Sequence, residues 1–452
     1  MPASPADATY DIAVLGAGPA GLAAAAAAGR GGAHVVLLDG GPRVGGQFWR
    51  HRQGDSGRGH RHWSTVERLR AAVPDFRPGQ AVWHVERTGN GFTVHTATNT
   101  LACRKMIIAT GAYDRQLPFP GWTLPGVFTA GGAQALLKGH GVTAGRRVVV
   151  AGTGPFLLPV ATGLAHAGAQ VVGVFEAGAP TAFARHPRVL AANPGKLAEG
   201  AWYAAALARH RIPFRTRHAV IAADGEGEVE AVTVARVDSQ WRIVPGSARR
   251  IACDTLAVGY GFTPQLEIPL QLGCAAELGL DGSLIACADE RQRSSVPGVY
   301  LAGEVCGVGG AELSLVEGEL AGLHAAGVTP DRRLVRRRAT LRAFAAALHA
   351  TYPVQSGWQE WLAEDTQVCR CEEVSAGAIR RTITELGASD PRSVKLLARP
   401  GMGLCQGRVC GHAVACLTGE PTAAALQGIA TRPIAQPVTL GSLAPHPTLE
   451  EK

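Results

Sequence analysis

The apolar positions of the chain repeat one pattern twice. Tyr10-Asp11-Ile12-Ala13-Val14-Leu15 is a short apolar run bounded by turn residues, as a buried strand requires. It leads into Gly16-Ala17-Gly18-Pro19-Ala20-Gly21, a Leu/Ala-rich helical stretch, and a second strand, His34 to Leu38, ending in Asp39. Strand, GxGxxG, helix, strand and acid within about thirty residues predict a βαβ unit that cradles an adenine nucleotide. The glycines allow a tight turn and close approach of a pyrophosphate to the helix N-terminus, and the acid can accept from a ribose. The pattern returns at Arg147 to Ala151, Gly152-Thr153-Gly154-Pro155-Phe156-Leu157, a helix, and Gln170 to Phe175 ending in Glu176. Leu157 stands where the third glycine belongs, and Glu176 disfavours NADPH. Gly152 and Gly154 are candidate nucleotide contacts, and an empty structural Rossmann unit is the alternative.

Between the repeats, Gly45-Gly46-Gln47 forms a turn, with Trp49 behind it. Residues 51–64 carry His51, His60 and His62 without matched acids or cysteines and read as a solvated loop. Met106 to Ala112 is an apolar strand ending in Ala-Thr-Gly, and Tyr113 to Arg115, Pro118 and Pro120 mark a crossing. Thr255 to Pro264 reads as the return, and Val299-Tyr300-Leu301 runs into Ala302-Gly303-Glu304 and a helix. The run from Arg332 to Arg338 reads as a solvated helix face or linker, with an interface role second. From Leu417 the chain turns Pro-rich, and its last residues read as an extended tail.

The fold class expected is therefore α/β, with two Rossmann-like dinucleotide-binding domains, the second inserted in the first, and a small C-terminal helical domain. The boundaries expected are 1–116 with 286–330 for the first domain and 117–285 for the insert. A helical linker at 331–364, a cysteine-bearing domain at 365–425 and an extended tail at 426–452 follow.

A chain of 452 residues exceeds one core, and a net charge of +8 raises the question of nucleic acid. The arginines are spread and no recognition motif is present, so anionic cofactors or an acidic partner suit the balance better. No stretch matches a membrane span, and Met1 to Ala8 lacks the basic start and apolar run of a signal peptide. Four of the ten cysteines form two tight pairs, Cys369-Arg370-Cys371 and Cys405 to Cys410, separated by 33 residues. Two thiolates one residue apart can grip one metal centre, and Gly401, Gly403, Gly407 and Gly411 let backbone approach it. This suits a four-thiolate iron–sulfur centre and a reducing cytoplasm. Zinc, which usually takes CxxC knuckles, and four buried structural cysteines are the alternatives. No nucleophile–base pair or triad is readable, so no catalytic side chain is assigned.

The cysteine segment resembles the [2Fe-2S] domain of bacterioferritin-associated ferredoxin in spacing and in the words Cys371-Glu372-Glu373-Val374 and Gly401-Met402-Gly403. That resemblance implies Cys369, Cys371, Cys405 and Cys410 as cluster ligands. Arg370 and Arg408, each beside a ligand, would raise its potential unless they are merely solvated. The remainder resembles flavoprotein reductases with two dinucleotide domains. It implies FAD on Gly16, Gly18, Pro19, Ala20, Gly21 and Asp39, with Gly46 and Gln47 along the diphosphate. Thr110, Gly111, Gly303 and Glu304 would lie nearer the flavin, Glu304 replacing the family's shorter Asp. NAD or ATP shares the adenosine diphosphate half and fits the same cradle.

The whole order is similar to the larger subunit of bacterial opine oxidases, proline and hydroxyproline dehydrogenases and hydrogen cyanide synthase. Leu117-Pro118-Phe119-Pro120-Gly121-Trp122 and Val258-Gly259-Tyr260-Gly261-Phe262 carry that likeness with the cysteines. It implies a glycine-oxidase-like, FAD-containing beta subunit, FMN at a subunit interface, and a small third subunit. This chain would relay electrons through [2Fe-2S] to a quinone or other acceptor, in the cytoplasm or at the inner face of the membrane. The competing expectations are a self-contained NAD(P)H-dependent reductase and a redox or iron sensor.

Overall fold

The computed structural model describes residues 10–57, 60–419 and 421–443. Strand Tyr10–Leu15 lies at the centre of a seven-stranded sheet. It pairs in parallel with Val35–Leu38 on one side and Thr100–Ile108 on the other. Phe76–Arg77 extends one edge, and Val299–Leu301 pairs in parallel with the end of Thr100–Ile108. Gly91–Thr96 and Val82–Thr88 continue the sheet as an antiparallel meander. The unbroken apolar runs follow from burial on both faces. Ile12, Val14, Val35, Leu37 and Ile107 meet one core, and Ala13, Leu15, Val36, Leu38, Met106 and Ile108 meet the other.

Helix Pro19–Arg30 covers the first of these faces beside helix Ala311–Ala325. Gly318 and Gly322 make that approach feasible. A Cβ on either would come within 2.0 Å of the Ala20 carbonyl oxygen or 2.2 Å of that of Ala24.

The second sheet has five strands, all parallel, in the order Phe214–Thr216, Gln170–Glu176, Arg147–Gly152, Thr255–Gly259, Val127–Thr129. A three-stranded antiparallel sheet, His218–Asp224, Ala231–Arg236 and Arg249–Ala252, belongs to the same insert. The outgoing strand Ala112–Asp114 and the returning strand Phe262–Pro264 lie side by side, antiparallel. The second Rossmann unit thus hangs from the first on a two-stranded hinge. The return comes earlier than residue 286, because Leu266, Ile268, Leu270, Leu272 and Leu284 already pack beneath the first sheet.

Helix Arg332–Thr351 follows, with the Asp331 side chain capping the Arg333 amide. Most of the arginine run is exposed, but Arg338 and Arg342 turn inward to the fully buried carboxylate of Glu317, Arg342 at 2.7 Å. The turn Ser356–Trp361 then drives Trp358 and Trp361 into the core of the insert, where Trp361 Nε1 donates to the Trp241 carbonyl at 3.0 Å.

The cysteine-bearing unit consists of short helices, among them Ala376–Thr384, Pro391–Ala398 and Gly411–Leu417. Ser375 and Asp390 cap the first two through their side chains. Cys369, Ile379, Val394 and Cys410 share one apolar core with the insert, whereas Ala415 joins the core of the first domain. The expected extended tail from 426 is corrected in its described part. Ala423–Ala430 is a helix capped by Thr422, and Leu426 and Ala435 are buried against the first domain. Residues 444–452 lie outside the described residues.

Candidate functional site

The first cradle is built as the glycines require. Gly16 has φ +101°, and a Cβ there would meet the Ala109 carbonyl oxygen at 2.4 Å. Gly21 sits so close under the turn that a Cβ would overlap the Gly16 oxygen. Gly18 caps helix Pro19–Arg30, with Pro19 at its first turn. Gly46, at φ +56°, backs onto Gly18 Cα. Asp39 accepts from the Ala17 and Gly41 amides, both at 2.6 Å, while burial pushes its carboxyl above the usual range. The Gly18 amide has no partner among the described residues.

The other predicted contacts converge from three segments. Thr110 Oγ1 donates to the Gln265 carbonyl at 3.0 Å, and the Gly111 carbonyl accepts from the Gln265 amide. Gly303, at φ +77°, packs on Ala20 and donates to Glu317 at 3.2 Å. The Glu304 carboxyl has no hydrogen-bond partner among the described residues, and burial pushes it up to about 7. Gln47 is exposed, with its amide oxygen taken by Arg50 at 2.9 Å. A free glycine amide at the helix N-terminus and a half-buried acid without a hydrogen-bond partner fit an adenine dinucleotide. The loop histidines differ from expectation: His60 has a matched acid, Asp55, at 3.2 Å, and both side chains are largely covered.

In the second cradle the acid turns back onto the glycine motif. Glu176 accepts from Thr153 Oγ1 at 2.7 Å, the Gly154 amide at 2.8 Å and the Gly178 amide at 2.7 Å. Burial pushes its carboxyl up to about 7. Tyr352, just past the linker helix, lies against Gly178 and within electrostatic reach of Glu176. Gly152 is required by geometry, since a Cβ would overlap the Gly259 oxygen; a Cβ at Gly154 would meet open space.

All four predicted cysteines line one cavity of about 190 Å³, together with Asp114, Gln116, Trp122, Thr129, Arg370 and Val409. They approach as two pairs. The Cys410 thiol donates to Cys369, which also takes the Gly401 amide at 3.4 Å, and these bonds hold Cys369 down to about 5. Cys371 lies against the amide and thiol of Cys405. All four are free thiols. A Cβ at Gly403 would lie 2.3 Å from Cys371 Cβ, so bare backbone is what lets this loop close on the ligand. Two thiol pairs across a small cavity fit a cluster in which each of two irons takes two thiolates. Arg370 is exposed, and Arg408 is committed to Glu267 at 2.7 Å.

Sequence reasoning missed Glu267, Arg432, Tyr352, Trp358 and Trp361. None lies in a motif. The pair of tryptophans three apart in a helical linker was the sole signal that the linker packs inward.

The family described as pyridine nucleotide-disulphide oxidoreductase matches residues 10–327, and that described as the BFD-like [2Fe-2S] binding domain matches residues 367–417. Hydrogen cyanide synthase subunit HcnB of Pseudomonas aeruginosa is 36% identical over 88% of this chain and 90% of its own. An opine oxidase subunit of Rhizobium meliloti is 33% identical over 96% of this chain and 98% of its own. The crystal structure of L-proline dehydrogenase from P. horikoshii superposes with a TM-score of 0.69 at 22% identity, covering 96% of this chain and 79% of that one, which shows a shared fold. The chain belongs to the pyridine nucleotide-disulphide oxidoreductase family, alongside HcnB and the opine oxidase protein, and is an oxidoreductase with a fold for FAD and a BFD-like domain for a [2Fe-2S] cluster.

Proposed function

We propose that the chain is the electron-transfer subunit of a hetero-oligomeric, flavin-dependent amine or amino-acid dehydrogenase, of opine, proline or hydroxyproline type. The observation that carries this reading is a shared wall. Asp114 and Thr129 line the cysteine cavity, and Asp114 ends the hinge strand that starts one residue past Gly111 of the flavin-side turn. A strand rises about 3.3 Å per residue, so Gly111 and Asp114 stand about 10 Å apart along it, which supports a short path between the two groups.

Bound flavin takes electrons in pairs and a [2Fe-2S] cluster passes them singly, which is the chemistry these groups supply. The chain's own residues hold and orient. Gly16, Gly18 and Gly46 admit the diphosphate, and Glu304 offers an acceptor to hydroxyls. The four cysteines line one cavity with Trp122 and Gln116; Cys369 and Cys410 are buried, while Cys371 is exposed at its rim. A glycine-oxidase-like FAD subunit would remove hydride from the carbon beside nitrogen, with FMN at the shared face and a small third subunit completing the assembly. The acceptor would be a quinone or another carrier at the inner face of the membrane; no helix among the described residues is long and apolar enough to cross one.

The test is co-expression with a glycine-oxidase-like partner, followed by amine-dependent dye reduction. The complex is expected to turn over, and the purified chain alone to show no amine-dependent dye reduction. Full turnover by the isolated chain would overturn the proposal.

A further inference from the structure

The loop carrying Cys405 is gripped by charges that no motif marks. Glu267 lies buried in helix Glu267–Gln271, just past the returning hinge strand. Its Oε1 forms an ion pair with Arg408, 2.7 Å from Nε, and accepts from Arg432 Nη1 at 2.8 Å. Arg408, between ligands Cys405 and Cys410 in sequence, also donates to the Cys405 carbonyl at 3.2 Å and to that of Ala435. Arg432 is 7% exposed and donates to the Gln406 carbonyl at 2.9 Å through Nε and again through Nη2. Gln406 holds φ +52°, a left-handed backbone that a non-glycine residue adopts at a cost. The forked guanidinium on its carbonyl offsets that cost.

Three charged groups are thus taken from water at the edge of the cluster cavity, with one positive charge left over. Burying them is expensive, and an apolar contact could have stapled the same segments. What an apolar staple would lack is a positive charge beside a sulfur ligand, which favours the more negative, reduced cluster. We infer that Glu267, Arg408 and Arg432 form a clamp that fixes Cys405 and sets the cluster's reduction potential from the flavin side of the molecule. All three are positioning residues. The inference rests on the assignment of the four cysteines to a [2Fe-2S] cluster. Iron-free wild-type protein would remove that assignment, whereas the variants below address the clamp.

The experiment uses the full chain and reads cluster potential by redox titration and iron release to a chelator. Glu267→Gln leaves two arginines uncompensated and is expected to shift the potential upward. Arg432→Gln removes a positive charge and is expected to shift it downward and to release iron about tenfold faster. Arg432→Lys keeps the charge but loses the fork. It is expected to hold the wild-type potential while still releasing iron faster. Shifts of one sign in both neutralised variants, or no shift in either with iron retained, would overturn the clamp. Should Arg432→Gln emerge without iron, Arg432→Lys decides: wild-type iron release in it would count against the inference.

Discussion

The Gly154 amide donates to Glu176 across 2.8 Å, whereas the equivalent acid of the first cradle, Asp39, takes the Ala17 amide one residue earlier. The extra methylene of Glu176 lets it reach the second glycine of the motif, whose backbone a pyrophosphate must approach. With Tyr352 lying against Gly178 beside the same acid, the insert keeps the Rossmann topology while Glu176 already takes an amide that a pyrophosphate would use. NADH or NADPH mixed with the flavin-loaded chain should therefore leave the flavin absorbance unchanged in a stopped-flow trace. Rapid bleaching would restore the self-contained reductase.

The cysteines separate by role. Cys405 lines the cavity, while Cys416 lies off it, 3.6 Å from His412 Nε2. Cys405→Ser should lose cluster-bound iron and the cluster's visible absorbance. Cys416→Ser should retain both, by iron assay and electron paramagnetic resonance. Equal iron loss in the two would remove the distinction.

Glu317 ties three elements together: its carboxylate meets Arg338 and Arg342 of the linker helix and the Gly303 amide of the flavin-side turn. Its side chain is 0% exposed. Truncating one member of a buried charge group leaves the others unpaired, so Glu317→Ala should cost about 3 kcal/mol in denaturant unfolding. A loss below about 0.5 kcal/mol, the ordinary size of a surface substitution, would contradict the buried network.

Glu304 gives a pH signature. Its folded pKa, pushed up to about 7, lies above the ordinary 4.5. Below 4.5 the group is protonated in both states. As pH climbs from 4.5 to 7 the unfolded chain releases the proton first, so the folded state loses ground, and above 7 the deficit is constant. Glu304→Gln in the flavin-free chain should become more stable relative to wild type across that window, by at most about 3 kcal/mol. A difference that stays flat from pH 5 to 8 would show the acid to be ordinarily solvated.

The fold was legible where apolar period and glycine spacing act together. Tyr10–Leu15 with Gly16 and Gly18, and Arg147–Gly152 with Gly154, announce strands and turns because local backbone geometry permits few alternatives. The cysteine pairs were legible for the same reason, since ligand chemistry fixes their spacing. What stayed hidden depends on contacts between distant segments. Nothing near Glu267 says that Arg432 will meet it, and the Pro-rich stretch after Leu417 gives no sign that Thr422 will cap a helix. The departure of the second motif was visible in Leu157. The approach of Tyr352 was not, because it arrives from a linker that reads as a spacer.

The tryptophan turn after the linker helix has a consequence for how such proteins are rearranged. Because Trp358, Trp361, Cys369 and Cys410 solidify in one interior with the insert, the sulfur-bearing segment is not a cartridge that recombination could plug into any reductase. A transplant would need the host's inserted domain as its floor. Fusions and fissions in this lineage should accordingly cut on either side of that shared interior rather than through it.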